Sequence, residues 1–83
     1  MENILVSIFV PLIGLEYEAK IPINKTIGSI KKNIEKAIYD LSGGSCKIDE
    51  NSSLINKKSG VVYSNVTYVI DSDIRNGTEL IIF

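Results

Sequence analysis

Between Leu15 and Asn24 the sequence LEYEAKIPIN alternates at every step, with Leu15, Tyr17, Ala19, Ile21 and Ile23 on one side and Glu16, Glu18, Lys20, Pro22 and Asn24 on the other. Successive side chains of a strand point to opposite faces, so this pattern describes a strand that lays one face on a core and turns the other to water. Pro22 has no N–H to give a neighbouring strand, which places the segment at a sheet edge or ends its pairing there. Just beyond it the period changes. Ile27, Ile30, Ile34, Ala37, Ile38 and Leu41 recur at spacings of three and four, the signature of one apolar helix face. Thr26 is placed to cap that helix, and Gly43 with Gly44 supplies a left-handed stop. Lys31, Lys32, Asn33, Glu35, Lys36 and Asp40 fall outside the stripe and are expected in solvent. Gly28 and the β-branched residues weaken intrinsic helix propensity, so packing on a sheet must hold the helix.

The flanking segments supply that sheet. NILVSIFV is apolar on both faces, as a central strand is, and PLIG carries Pro11 and Gly14 for the reversal that makes the first two strands a hairpin. SLINKKSGVVY has two short apolar runs around Lys57–Gly60 and reads as a second hairpin. SNVTYVIDSDI is less regular, and TELIIF forms the last strand. The order β-β-α-β-β-β predicts an α+β layer structure, a mixed sheet of four to five strands with one helix across one face. At 83 residues, 45% of them hydrophobic, the chain has room for a single core, so residues 1–83 are read as one domain.

Two stretches carry a family resemblance. KTIGSIKKNI resembles the start of the ubiquitin helix, a Thr cap followed by apolar residues one and four places on. VIDSDIRNGTELIIF resembles the closing segment of the ubiquitin-like β-grasp. Asn56-Lys57 and the ending I-x-N-G-x-x-L-x-I-F are most similar to the YukD/EsaB proteins of bacterial type VII secretion systems. The resemblance covers nearly the whole chain. It implies first and last strands running parallel at the centre of the sheet, and a non-enzymatic, cytoplasmic accessory component of a secretion system whose partners are proteins. Other members of the fold, the protein modifiers and sulfur carriers, work through a flexible tail ending in Gly-Gly. Here the corresponding strand ends at Ile81, Ile82 and Phe83, so that alternative is disfavoured.

Composition argues in the same direction. A formal charge of −1, from 9 Lys and Arg against 10 Asp and Glu, gives no field to hold a polyanion, and nucleic acid is not expected as a partner. The opening apolar run is too short to span a bilayer and Glu2 stands where a signal peptide carries cations, so neither membrane insertion nor export is expected. Four Asn-x-Ser/Thr matches, at Asn24, Asn51, Asn65 and Asn76, would matter only in a secreted eukaryotic chain and are read as chance. A single cysteine, Cys46, fits a reducing compartment. It is read as a polar-loop residue beside Lys47, and without a base nearby its thiol is incidental. Histidine is absent, which removes the commonest general base. Asp71 and Asp73 are read as turn residues accepting from backbone N–H groups, since two carboxylates without further hard ligands make a poor metal site. No catalytic, metal or cofactor residue is assigned.

What remains is surface. One sheet face lies under the helix and the other is bare. If Ile4, Val6, Ile8, Leu54, Leu80 and Ile82 point inward, then Leu5, Phe9, Ile55, Ile81 and Phe83 point outward. Ile55, Ile81 and Phe83 resemble in position the apolar patch through which ubiquitin is recognised. Phe9, Ile55, Ile81 and Phe83 are therefore the expected partner-binding residues, and the same face could serve homodimerisation. Lys57 and Lys58 are read as a solvated hairpin tip or as a polar rim to this patch. A partner surface is one reading of such a face; shielding by loops, or the β propensity of Ile and Phe, is the other.

Overall fold

The computed structural model describes residues 2–47 and 51–83, so part of the polar loop expected around Cys46 and Lys47 lies outside the described residues. Strands β1 (Asn3–Val10) and β2 (Leu15–Pro22) form the first hairpin, paired from Asn3↔Pro22 to Val10↔Leu15 and turned by a short 3-10 helix at Pro11–Ile13. Helix α1 (Ile27–Leu41) follows, then β3 (Leu54–Asn56) and β4 (Glu79–Ile82). The sheet order is β2-β1-β4-β3, with β4 parallel to β1 and antiparallel to β3. This is the expected mixed sheet, with the chain's first and last strands side by side at its centre and β2 at an edge.

The alternation read from the sequence sets the core. Val6, Ile8 and Val10 from β1, Ile21 from β2, Leu54 from β3, and Leu80 and Ile82 from β4 meet Ile27, Ile30, Ile34 and Ile38 of α1 in one buried cluster. Each such side chain contributes about 1.5–3 kcal/mol when fully removed from water, which outweighs the weak helix propensity of an Ile-rich segment. Thr26 caps α1 as expected, its hydroxyl oxygen accepting from the Ser29 N–H at 3.3 Å. Past the helix Gly43 and Gly44 take positive φ. Gly28 has a reason that propensity does not show. Its N–H donates to the Asn65 carbonyl at 2.9 Å, and a Cβ at position 28 would stand only 3.1 Å from that oxygen. The glycine lets the 65–67 segment lie against the first turn of the helix.

Several expectations are corrected. Lys31, expected in solvent, is 5% exposed: it lies four residues after Ile27 and three before Ile34, so helical geometry puts it on the buried stripe. Its ammonium reaches the Ser52 carbonyl at 2.6 Å. Leu41, expected on the stripe, is exposed, and burial of that face ends with Ile38. Cys46 is a buried member of the core cluster. The second hairpin keeps only its first arm as a strand, its return being the isolated bridge Ile55↔Val62. The less regular segment after it holds a bridge between Tyr68 and Thr26 and a 3-10 helix at Val69–Asp71. Before β4 Gly77 takes a positive φ, 91°, and Asn76 accepts the Leu5 N–H on its Oδ1 at 2.8 Å. Asp73 accepts from the Tyr63 hydroxyl, a side chain where a backbone N–H was expected.

Candidate interaction surface

Pairing across the sheet aligns the outward residues. Phe9 of β1 lies opposite Ile81 of β4, Ile81 lies opposite Ile55 of β3, and Ile55 bridges to Val62. Paired residues on adjacent strands share a face, so the four form one apolar row running from the centre of the sheet past its β3 edge. Phe9, Ile55 and Ile81 are half-buried, while Val62 is 60% exposed. On the β2 side the row ends at Glu16, opposite Phe9.

Phe83 lies one strand repeat beyond Ile81. Its backbone is fixed, since its N–H donates to the Ser53 carbonyl at 3.0 Å and its carbonyl accepts from the Ser53 N–H at 2.9 Å. Its ring is not: Phe83 is 76% exposed. The parallel register, carried on by two residues, sets Pro11 level with Phe83, so the turn after β1 stands at the same end of the sheet. Leu12 in that turn is 73% exposed and Ile13 is also exposed. The structure therefore brings the four expected residues to one face and adds Val62, with the exposed Leu12 and Ile13 in the turn at one end of the sheet. Those three escaped the sequence reading because PLIG signals only a reversal and the second hairpin arm gave no register. Leu5 shares the face but stands apart from the row, with Ser7 between it and Phe9.

Lys57 forms the rim. Its ammonium lies 5.4 Å from the centroid of the Phe9 ring and 3.9 Å from a Glu16 carboxylate oxygen. The turn that carries it is set by Asn56, whose Oδ1 accepts from the N–H groups of Lys58 and Ser59 at 2.9 and 3.1 Å. Asn56 also donates through Nδ2 to the Tyr63 hydroxyl at 3.1 Å, and that hydroxyl donates to Asp73. Burial, and next the hydrogen bond to the Asp73 carboxylate, push the Tyr63 phenol up to about 12. Burial also raises Tyr17, on the helix-side face of β2. Among the described residues no group of three or more His, Cys, Asp or Glu gathers to hold a metal ion, and no helix is long and apolar enough to cross a membrane.

No protein-family model and no curated protein matches the chain. Solved structures do. A ubiquitin-like domain from Arabidopsis thaliana is 15% identical, with a TM-score of 0.75 over all of this chain and 78% of that one. The ubiquitin-like domain of Plasmodium falciparum Dsk2 is 19% identical, with a TM-score of 0.70 over 99% of this chain and 100% of the other. A chain of the MycP5-free ESX-5 inner membrane complex is 12% identical, with a TM-score of 0.80 over all of this chain. This chain spans only 21% of that ESX-5 chain. At such identities the likeness establishes the fold: the protein has the ubiquitin-like α+β β-grasp.

Proposed function

We propose that this protein is a non-enzymatic docking module of the bacterial cytoplasm that binds a protein component of a type VII secretion system through the bare face of its sheet. Phe9, Ile55, Ile81 and Phe83 are the contact residues, with Lys57 at the rim. The observation that carries the reading is the continuous apolar row Phe9–Ile81–Ile55 and its extension to Phe83, presented by strands whose other face is already committed to the core. An open apolar patch of this kind on a small domain marks a partner site. Phe83 has the most side-chain surface left to bury, and its pinned backbone means that little ordering cost falls on association. Two facts support the choice of system: the resemblance of IRNGTELIIF to the YukD/EsaB ending, and the likeness of the whole chain to part of an ESX-5 membrane-complex subunit.

Affinity capture from the native host tests this, with the wild-type chain beside Ile81→Asp and Phe83→Asp, each first shown to be folded by circular dichroism. The wild type is expected to recover secretion-complex subunits and both variants to lose them. Equal recovery by all three removes the face as the contact site, and recovery of no secretion component by the wild type removes the assignment to that system.

A further inference from the structure

The edge opposite β3 offers a second surface, and its partner can be read from its own sequence. Among the described residues β2 pairs only with β1, leaving its other side open. The direction of its free backbone groups follows from the neighbouring ladder. Ser7 N–H donates to the Thr78 carbonyl and the Leu5 carbonyl accepts from Gly77 N–H, so odd-numbered residues of β1 turn their backbone groups toward β4. Even-numbered residues of β1 therefore serve β2, where they face Leu15, Tyr17, Ala19 and Ile21. Glu16, Glu18 and Lys20 are left with their N–H and C=O groups aimed outward at the open edge, a ready template for another strand.

A second copy of β2 can add antiparallel about a two-fold axis at one of four residues. Centring on Tyr17 sets Glu16 against Glu18 of the second copy, twice. Centring on Glu18 sets Glu18 against itself, and centring on Lys20 sets Lys20 against itself. Only the axis through Ala19 avoids like charges: it places Glu18 opposite Lys20 of the second copy and Lys20 opposite its Glu18. These two residues also own the outward backbone groups, so in this register each pair exchanges both N–H···O bonds. On the helix side the same register sets Tyr17 against Ile21 in both directions, an aromatic–β-branched pairing of the favourable kind. Ala19 meets itself at the axis, in the closely spaced non-hydrogen-bonded position where a small side chain fits. Pro22, lacking an N–H, falls opposite Glu16 and ends the ladder.

The apolar surface beneath this edge agrees. A groove of about 160 Å³ runs between β2 and α1, lined by Tyr17, Ala19, Ile21, Ile30, Ile34 and Ala37 among others. We infer that the protein forms a homodimer in which two β2 edges join, with the two-fold axis at Ala19, into one continuous sheet. This contact is separate from the bare face and leaves that face free in both copies.

Sedimentation equilibrium of the intact chain across micromolar to millimolar concentrations tests the inference, with circular dichroism to confirm that each variant is folded. The wild type is expected to show a monomer–dimer equilibrium. Lys20→Glu opposes two carboxylate pairs and is expected to weaken the dimer by about tenfold or more. The charge swap Glu18→Lys/Lys20→Glu re-creates two opposite-charge pairs and is expected to restore it, while Ile81→Asp leaves it unchanged. A wild type that stays monomeric throughout overturns the proposal. So does a dimer indifferent to Lys20→Glu, one that the swap fails to rescue, or one abolished by Ile81→Asp.

Discussion

The Lys57 ammonium stands 5.4 Å from the centre of the Phe9 ring while pairing at 3.9 Å with Glu16, on the far side of Phe9 from the hairpin that carries the lysine. A side chain from the β3 turn thus reaches across the sheet and covers part of the apolar row. Lys57 is itself 44% exposed, so the coupling is expected to be small, about 0.5–1 kcal/mol for the cation–π contact. A double-mutant cycle with Lys57→Ala and Phe9→Leu, read by urea denaturation, measures it. Lys57→Ala also uncovers the ring, so it is expected to strengthen binding to any partner that uses Phe9.

Asn76 closes the sheet at the opposite end of β1 by accepting the Leu5 N–H on its Oδ1. Asn76→Ala is expected to lower stability by about 0.5–1.5 kcal/mol, the usual worth of one such bond. Asn76→Asp keeps an acceptor in place and should recover most of that loss. Chemical denaturation of the two variants separates a lost acceptor from a disturbed turn.

Lys31 lies on the buried stripe of α1 with its ammonium on the Ser52 carbonyl. Lys31→Met keeps the length and apolar stem of the side chain but removes the donor, and it is expected to cost about 1–3 kcal/mol by leaving a buried carbonyl unpaired. Hydrogen exchange should show the loss concentrated in residues 51–54, which this bond ties to α1. A uniform loss of protection would point instead to general loosening of the core.

The Tyr63 phenol ionises near 12 in the fold against an ordinary value of 10.0. Below pH 10 the neutral phenol favours the folded chain. Between pH 10 and about 12 the unfolded chain ionises first, and that contribution drains away. Tyr63→Phe lacks it at every pH. The stability gap between wild type and Tyr63→Phe, followed by thermal denaturation, is therefore expected to be constant from pH 7 to 9 and to narrow from pH 10 upward. A gap that stays constant to pH 12 removes the raised phenol pKa, with the burial and the Asp73 hydrogen bond that cause it, as its source.

The sequence showed most plainly what local periodicity decides. The alternation from Leu15 to Ile23 and the helical stripe from Ile27 to Ile38 gave the faces of β2 and α1, and the double-sided apolarity of NILVSIFV gave β1 its central place. Contacts between distant segments were less visible. Lys31 looks like a solvent residue until Ser52, 21 positions away, supplies its acceptor. Cys46 sits in a polar run whose neighbours say nothing of the core it enters. The bare face was legible at Phe9, Ile55, Ile81 and Phe83 because each alternates with a core residue. Leu12 and Ile13 were not, because the turn that holds them comes to the Phe83 end of the sheet only when β1 and β4 run side by side.

That parallel neighbourhood has a consequence for biogenesis. β1 cannot gain its second neighbour until residues 79–82 have left the ribosome, so a nascent chain holding only the first hairpin and the helix bears an unsated strand at what will become the middle of the sheet. Such a precursor must wait, exposed to wrong pairings, for β4 to arrive. Completion of the sheet is then timed to the emergence of residues 79–82, and a ribosome stalled before Gly77 would hold a chain unable to complete it.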